Sequence, residues 1–331
     1  MKKKQSYIGI DLHSDNFYAY YISENEEKEG FYSLDNKGIA DFLLTLKKTD
    51  KVAVEASANT VNFVQNIERH VKEITIVPPN KFSVIGKSTK KTDKNDARTL
   101  AIFLSKDLLP KSRIKEEVYL RIISIAETRY ILRKTKAALI NKLHSIMLQN
   151  GHKIGKSKIR GDFGKHLYIH DLPQDLLTEV KLLEKEIKHI RNSMDELERA
   201  MISLSQTTKY FEAVRNIKGI GDLSACTIIG VIGNINDFAS PSRLASYFGI
   251  VPKVRISNSK QKASRITKAG NRLGRSTLVQ CTWIAIKYNE ELREYYDRLN
   301  KTKPSKKAVV ATARKLLTEV YKAMKACETD R

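Results

Sequence analysis

The first eighty residues alternate between two periodicities, and this alternation restricts the fold more than any other feature of the chain. Residues 6–12 and 16–23 are short runs rich in Tyr, Ile and Phe, with Ser14-Asp15 between them as a tight turn; the pattern predicts a hairpin. The polar turn SENEEKEG leads into a third short strand, FYSL. Residues 37–48 then carry Ile39, Phe42, Leu43 and Leu46 at helical spacing. KVAVEA reads as a buried strand, residues 59–71 as a helix, and EITIVPP as a last strand stopped by Pro78-Pro79.

Three antiparallel strands followed by helix, strand, helix, strand, helix is the order of a ribonuclease H-like α/β domain. In that architecture the first strand lies in the sheet centre beside the fourth. Asp11 ends the run YIGIDL and Glu55 ends KVAVEA, so the two acids are expected side by side at neighbouring strand ends. A helix from about Thr92 to Ser105 would bring Asp93 and Asp96 to the same edge, on one helix face because they are three residues apart. Carboxylates placed this way can hold two Mg²⁺ ions, since hard cations take oxygen ligands; Mn²⁺ is the other candidate. Asp93 is also placed to cap its helix, where an acid favours the dipole in any case. An acid at the end of an apolar strand is costly unless it coordinates something, which favours metal binding for Asp11 and Glu55.

The charge supplies the context. Sixty Lys and Arg against 37 Asp and Glu leave a formal net charge of +23 in 331 residues, which favours a polyanionic partner. Lys90, Lys91, Lys94 and Arg98 crowd the Asp93–Asp96 pair and are candidates for holding a nucleic-acid backbone; Lys81 and Lys87 precede them. Cys226, Cys281 and Cys327 are too far apart for a zinc site and read as ordinary thiols of a reducing compartment. No apolar run approaches the ~20 residues of a membrane helix, and the basic N-terminus lacks the apolar stretch of a signal peptide. These features point to a cytoplasmic protein with no membrane partner.

Beyond the first domain the chain is expected to be helical. Residues 115–150 read as one or two long helices, followed by a basic, glycine-bearing hinge, GHKIGKSKIRGDFG. Residues 176–206 carry a heptad through Val180, Leu183, Ile187, Ile190, Met194, Leu197, Met201 and Leu204, the pattern of a coiled coil. The seam fits pairing between two protomers or a helical hairpin within one. Gly219-Ile220-Gly221, ahead of an apolar helix, resembles the turn of a helix-hairpin-helix, whose backbone N–H groups can meet a phosphate. The expected division is 1–160 for the acid-bearing domain with its long helix, 161–209 for hinge and coiled coil, and 210–331 for a mainly α distal domain. After Pro252 a polar, basic loop holds Ser257 and Ser259, followed by Arg265, Lys268, Arg272 and Arg275 as further backbone-binding candidates. Taken alone, a serine in such a loop is only a loop serine, because no histidine stands near to remove its proton.

The ordered motifs resemble those of the DEDD transposases of insertion sequences, the group that includes the Piv DNA invertases and the bridge-RNA-guided recombinases. They are Gly9-Ile10-Asp11-Leu12-His13, Glu55, Thr92-Asp93-Lys94-Asn95-Asp96-Ala97, Gly219-Ile220-Gly221, Asp237-Phe238, Gly249-Ile250-Val251-Pro252 and Arg265-Ile266-Thr267-Lys268-Ala269-Gly270-Asn271. The resemblance implies a RuvC-like first domain with Asp11, Glu55, Asp93 and Asp96 as Mg²⁺ ligands. It implies a distal domain whose nucleophilic serine, counted from Gly249-Ile250-Val251-Pro252, falls on Ser257. It also implies double-stranded DNA and a structured noncoding guide RNA as partners, and a homodimer or homotetramer whose protomers share composite sites. The chain departs from the family at Ala56-Ser57-Ala58-Asn59, at Asn258 and at Ser264, which leaves Ser259 as the competing nucleophile. Two other functions fit parts of the sequence: a junction-resolving nuclease that uses water, and a non-catalytic RNA- or DNA-binding protein.

Overall fold

The computed structural model describes residues 5–24, 26–78, 92–109, 115–155, 172–257 and 260–329, with the backbone alone for 254–257 and 260–264. The chain forms two compact units that meet in sequence between Ile114 and Lys115. By its contacts the helix over 117–149 lies in the second unit.

The first unit is built on a five-stranded sheet. β1 (Tyr7–Leu12), β2 (Asn16–Ile22) and β3 (Glu27–Ser33) are antiparallel; β4 (Lys51–Glu55) and β5 (Glu73–Val77) run parallel to β1. The order is β3-β2-β1-β4-β5, with the first strand between the second and fourth as expected. β3 begins four residues before the FYSL run, inside the stretch read as a turn. Its Glu27 and Glu29 carry no apolar signal, but they pair with basic residues of a helix described below.

Period-two alternation assigns the two faces of the sheet. Ile8, Ile10, Phe17, Val52 and Val54 point to one side and are buried with Phe42 of α1 (Asn36–Thr45) and Phe63 and Ile67 of α2 (Thr60–Ile67). Phe17 packs edge-on against both Phe42 and Phe63 with ring centroids 4.9 Å apart. On the other side α3 (Asp93–Ser105) lies across β1 and β2, its buried Ala97 and Ala101 beside Tyr20. Gly9 makes this approach possible. A Cβ there would stand 2.0 Å from the Ala97 carbonyl oxygen and 2.5 Å from the Ala101 nitrogen, both backbone atoms that cannot give way. Overpacking of a tight core costs typically 1–3 kcal/mol. Gly9→Ala is therefore expected to lower stability by about 2–3 kcal/mol, read by denaturant titration with hydrogen exchange along α3. Loss of less than about 0.5 kcal/mol would mean that α3 is not seated on β1.

The second unit is mainly helical. α4 (Glu117–Gln149) and α5 (Gln174–Gln206) run antiparallel, with Arg129 paired to Glu198 at 2.5 Å and Lys142 to Glu179 at 3.4 Å. Val180 and Ile187 of the heptad are buried against Ile140, Leu143 and Met147 of α4. The seam that could have joined two protomers is thus covered within the chain, because α4 supplies a matching apolar stripe. Then come α6 (Phe211–Arg215), α7 (Asp222–Ile232), α8 (Pro241–Tyr247), a hairpin of β6 (Pro252–Ser257) and β7 (Lys260–Ile266), α9 (Arg272–Tyr288), α10 (Glu290–Asn300) and α11 (Ser305–Thr329). Their core joins Phe211, Ile228, Ile229, Phe248, Leu278 and Leu316. Lys115 is half-buried at the end of α7, donating to the carbonyls of Gly230 at 3.0 Å and Val231 at 2.5 Å, and desolvation pushes its pKa down to about 8. Among the described residues no helix is long and apolar enough to cross a membrane.

Candidate metal centre

The C-terminal edge of the parallel strands gathers the acids. β1 and β4 stay in register as far as Ile10 opposite Val54, so Asp11 and Glu55 are the next residues on two adjacent strands. Both are half-buried. Asp93 and Asp96 lie in the first turn of α3, which the Gly9–Ala97 contact holds against β1. The cap of this helix is Thr92, whose hydroxyl accepts from the Asn95 N–H at 3.3 Å. The capping role open to Asp93 is therefore taken by its neighbour, leaving the Asp93 carboxylate at the helix start for other partners.

His13 joins this edge. Its Nε2 stands 3.4 Å from Asp11 Oδ2 and 3.3 Å from Asp93 Oδ2. The donor atoms of Asp11, His13 and Asp93 all lie within 4.8 Å of one another, a spacing open to one metal ion; Glu55 and Asp96 are not part of this trio. The hairpin is anchored from behind. The His13 N–H donates to the Asn16 carbonyl at 2.9 Å, and Asn59 Nδ2 donates to the carbonyls of His13 and Ser14 at 3.0 and 3.2 Å. Asn59, one of the residues at which the chain departs from the family pattern, thus ties the hairpin to the start of α2.

Sequence reasoning quoted His13 in a motif but gave it no role. The available signal was its spacing: two residues beyond Asp11, across a turn too short to carry it away. Asp50 was also missed. It is buried at the other end of β4 and accepts from the Ser6 N–H at 3.0 Å and the Lys47 N–H at 2.9 Å. That carboxylate is satisfied by backbone, and its work is structural.

The basic residues near α3 are partly engaged. Lys94 pairs with Glu29 at 2.6 Å, and Arg98 pairs with Glu27 at 3.3 Å while lying 5.7 Å above the Tyr20 ring. Hydrogen bonds hold both carboxyls below their usual range, from Tyr20 first for Glu27 and from Lys94 first for Glu29. Lys81, Lys87, Lys90 and Lys91 lie outside the described residues.

In the second unit the segment after Pro252 is a hairpin, not the loop expected from its polarity. Ser257 is the last residue of β6, opposite Lys260 at the start of β7, and Ser259 lies outside the described residues. Arg265, Lys268 and Arg272 are exposed. Arg275 is turned inward, its guanidinium donating to the carbonyls of Phe248 and Gly270 at 3.3 and 3.2 Å, and burial lowers its pKa. The motif glycines have a physical reason. Gly249 has φ +66° and Gly270 packs so closely that a Cβ would meet the Tyr247 carbonyl oxygen at 1.8 Å. Two backbone segments cross there at the root of the hairpin. Gly219, φ +97°, seats its turn against Ala285 of α9 in the same way, and Gly221 precedes α7 without a side-chain cap.

Comparison with known proteins identifies both parts of the chain. A transposase family profile of the DEDD, IS110 type matches residues 8–151, and the profile of the "Transposase IS116/IS110/IS902 family" matches residues 211–297. The transposase for insertion sequence element IS1111A of Coxiella burnetii is 23% identical over 58% of this chain. That alignment spans about half, 54%, of the relative's own length. The pilin gene-inverting protein of Moraxella lacunata is 24% identical over 96% of this chain and 95% of its own. The transposase for insertion sequence element IS1328 of Yersinia enterocolitica is 22% identical over 83% of this chain and 82% of its own. With one profile running from the acid-bearing unit through α4 and the other on the distal helices, the chain belongs to the IS110 family of insertion-sequence transposases.

Proposed function

We propose that the chain is a DNA recombinase that moves or inverts its own element, working through a divalent-metal site in a ribonuclease H-like first unit and a serine in the second. The observation that carries this reading is the meeting of Asp11 on β1 with Asp93 on α3, reached from sequence positions 82 residues apart. Glu55 and Asp96 complete the ligand set. The donor set fits Mg²⁺, since it is dominated by carboxylates at the C-terminal edge of a sheet. When bound, two such ions would polarise the scissile phosphate and stabilise the departing oxygen.

The chain's own residues do the rest. Asp11 and Glu55 are fixed by the register of β1 and β4, so their separation is set by the sheet spacing. The Ser257 hydroxyl oxygen attacks phosphorus, a sugar oxygen leaves and takes up a proton, and the strand end is kept as a phosphoserine diester. A hydroxyl of another strand reverses the step, so the phosphodiester bond energy is conserved and no nucleotide triphosphate is consumed. The distal domain begins near residue 210 in this reading, and the exposed Arg265, Lys268 and Arg272 hold nucleic-acid backbone with the helix-hairpin-helix turn at Gly219 and Gly221. A structured guide RNA selects the DNA by base pairing. Protomers of a dimer or tetramer combine the carboxylates of one chain with the serine of another.

The test is a trapped intermediate. Full-length protein, Mg²⁺ and labelled DNA spanning the element ends are mixed, with and without RNA transcribed from the flanking sequence, then run under denaturing conditions. A protein–DNA adduct that needs Mg²⁺ and maps to a phosphoserine is the expected result. Cleavage with free hydroxyl and phosphate ends and no adduct would assign the chemistry to water.

A further inference from the structure

We propose that His13 is a nitrogen ligand of the ion held by Asp11 and Asp93, so that this position takes Mn²⁺ in preference to Mg²⁺. The inference rests on the metal-dependent reading above and adds to it the ligand that the four-carboxylate set leaves out.

The geometry argues for it. Ligand atoms around a small octahedral cation lie about 2.1 Å from it, which sets neighbouring ligand atoms about 3 Å apart. His13 Nε2 stands 3.4 Å from one Asp11 oxygen and 3.3 Å from one Asp93 oxygen, close to that edge length. The ring is delivered by a braced backbone. Asn59 Nδ2 donates to the carbonyls of His13 and Ser14, and the His13 N–H closes the hairpin on Asn16. Two of the three donors come from β1 and its turn and the third from α3, so one ion would tie the strand end to the helix start.

The chemistry gives the preference. Mg²⁺ favours an all-oxygen shell and keeps much of its water, whereas imidazole suits first-row transition ions. Replacing one oxygen ligand by imidazole therefore shifts the balance toward Mn²⁺. The competing account is an imidazolium bridging two carboxylates by charge alone, which needs no ion and gives no metal–nitrogen bond.

The experiment uses full-length protein and Mn²⁺ as the probe. Free Mn²⁺ is titrated by its paramagnetic resonance signal, Mg²⁺ is added as competitor, and spin-echo modulation reads whether a nitrogen is bonded to the ion. Wild type is expected to show bonded nitrogen. His13→Ala and His13→Gln are expected to lose it, to bind Mn²⁺ about tenfold or more weakly, and to discriminate less against Mg²⁺. Both substitutions leave the backbone contacts of the hairpin in place, and circular dichroism checks the fold. No bonded nitrogen in wild type, or bonded nitrogen retained in both variants, overturns the role of His13 while the carboxylate site stands. Mn²⁺ binding unchanged in Asp11→Asn overturns the metal reading itself.

Discussion

Asp11→Asn is expected to slow DNA strand cleavage by about a thousandfold or more while the protein stays folded. Asparagine has nearly the same shape as aspartate but no negative charge. A metal that polarises a phosphate supplies several kcal/mol of transition-state stabilisation, and each 1.36 kcal/mol is a factor of ten. The structure explains why the fold should survive. Asp11 follows the last register pair of β1 and β4, and the core residues beside it, Ile8 and Ile10, lie on the other face. The measurement is cleavage rate beside a thermal melt and Mn²⁺ binding. A folded Asp11→Asn protein that cuts within tenfold of wild type would remove Asp11 from the chemistry.

Ser257→Ala is expected to abolish the covalent adduct altogether, with Ser259→Ala retaining it. Alanine lacks the oxygen that would bond to phosphorus, so no residual route to a phosphoserine exists at that position. Ser257 closes β6 opposite Lys260, whereas Ser259 lies outside the described residues, so the two variants are compared side by side. Adduct yield on a denaturing gel, with DNA binding by both variants as the control, checks the assignment. An adduct retained by Ser257→Ala and lost by Ser259→Ala would move the nucleophile two residues on. Retention by both would end the serine mechanism.

Much of the first unit was legible because its strands announce themselves. YIGIDL and KVAVEA are apolar runs ended by an acid, and both are central strands of the sheet. β3 was read too short because an edge strand needs no apolar face, and Glu27 to Gly30 carry none. The β6–β7 hairpin was read as a loop for a similar reason: PKVRIS and KQKASRI are dominated by lysine and arginine, so polarity masked their extended backbone. The heptad of α5 was visible, but its partner was not. Periodicity gives a helix's apolar stripe without saying whose stripe will cover it, and here α4 of the same chain does. His13 escaped because its two-residue spacing from Asp11 points to one neighbour and not to the second. Only the fold, by setting α3 across β1, brings Asp93 to it.

The acids on β3 carry a last consequence. A five-stranded open sheet has two borders, and a bare border invites another strand from a neighbouring molecule. On the β3 border Glu27, Lys28 and Glu29 stand exposed in succession. A strand added there would have to bury charged side chains, and Glu27 and Glu29 are already engaged by Arg98 and Lys94. The same residues that brace α3 therefore discourage strand addition at this border.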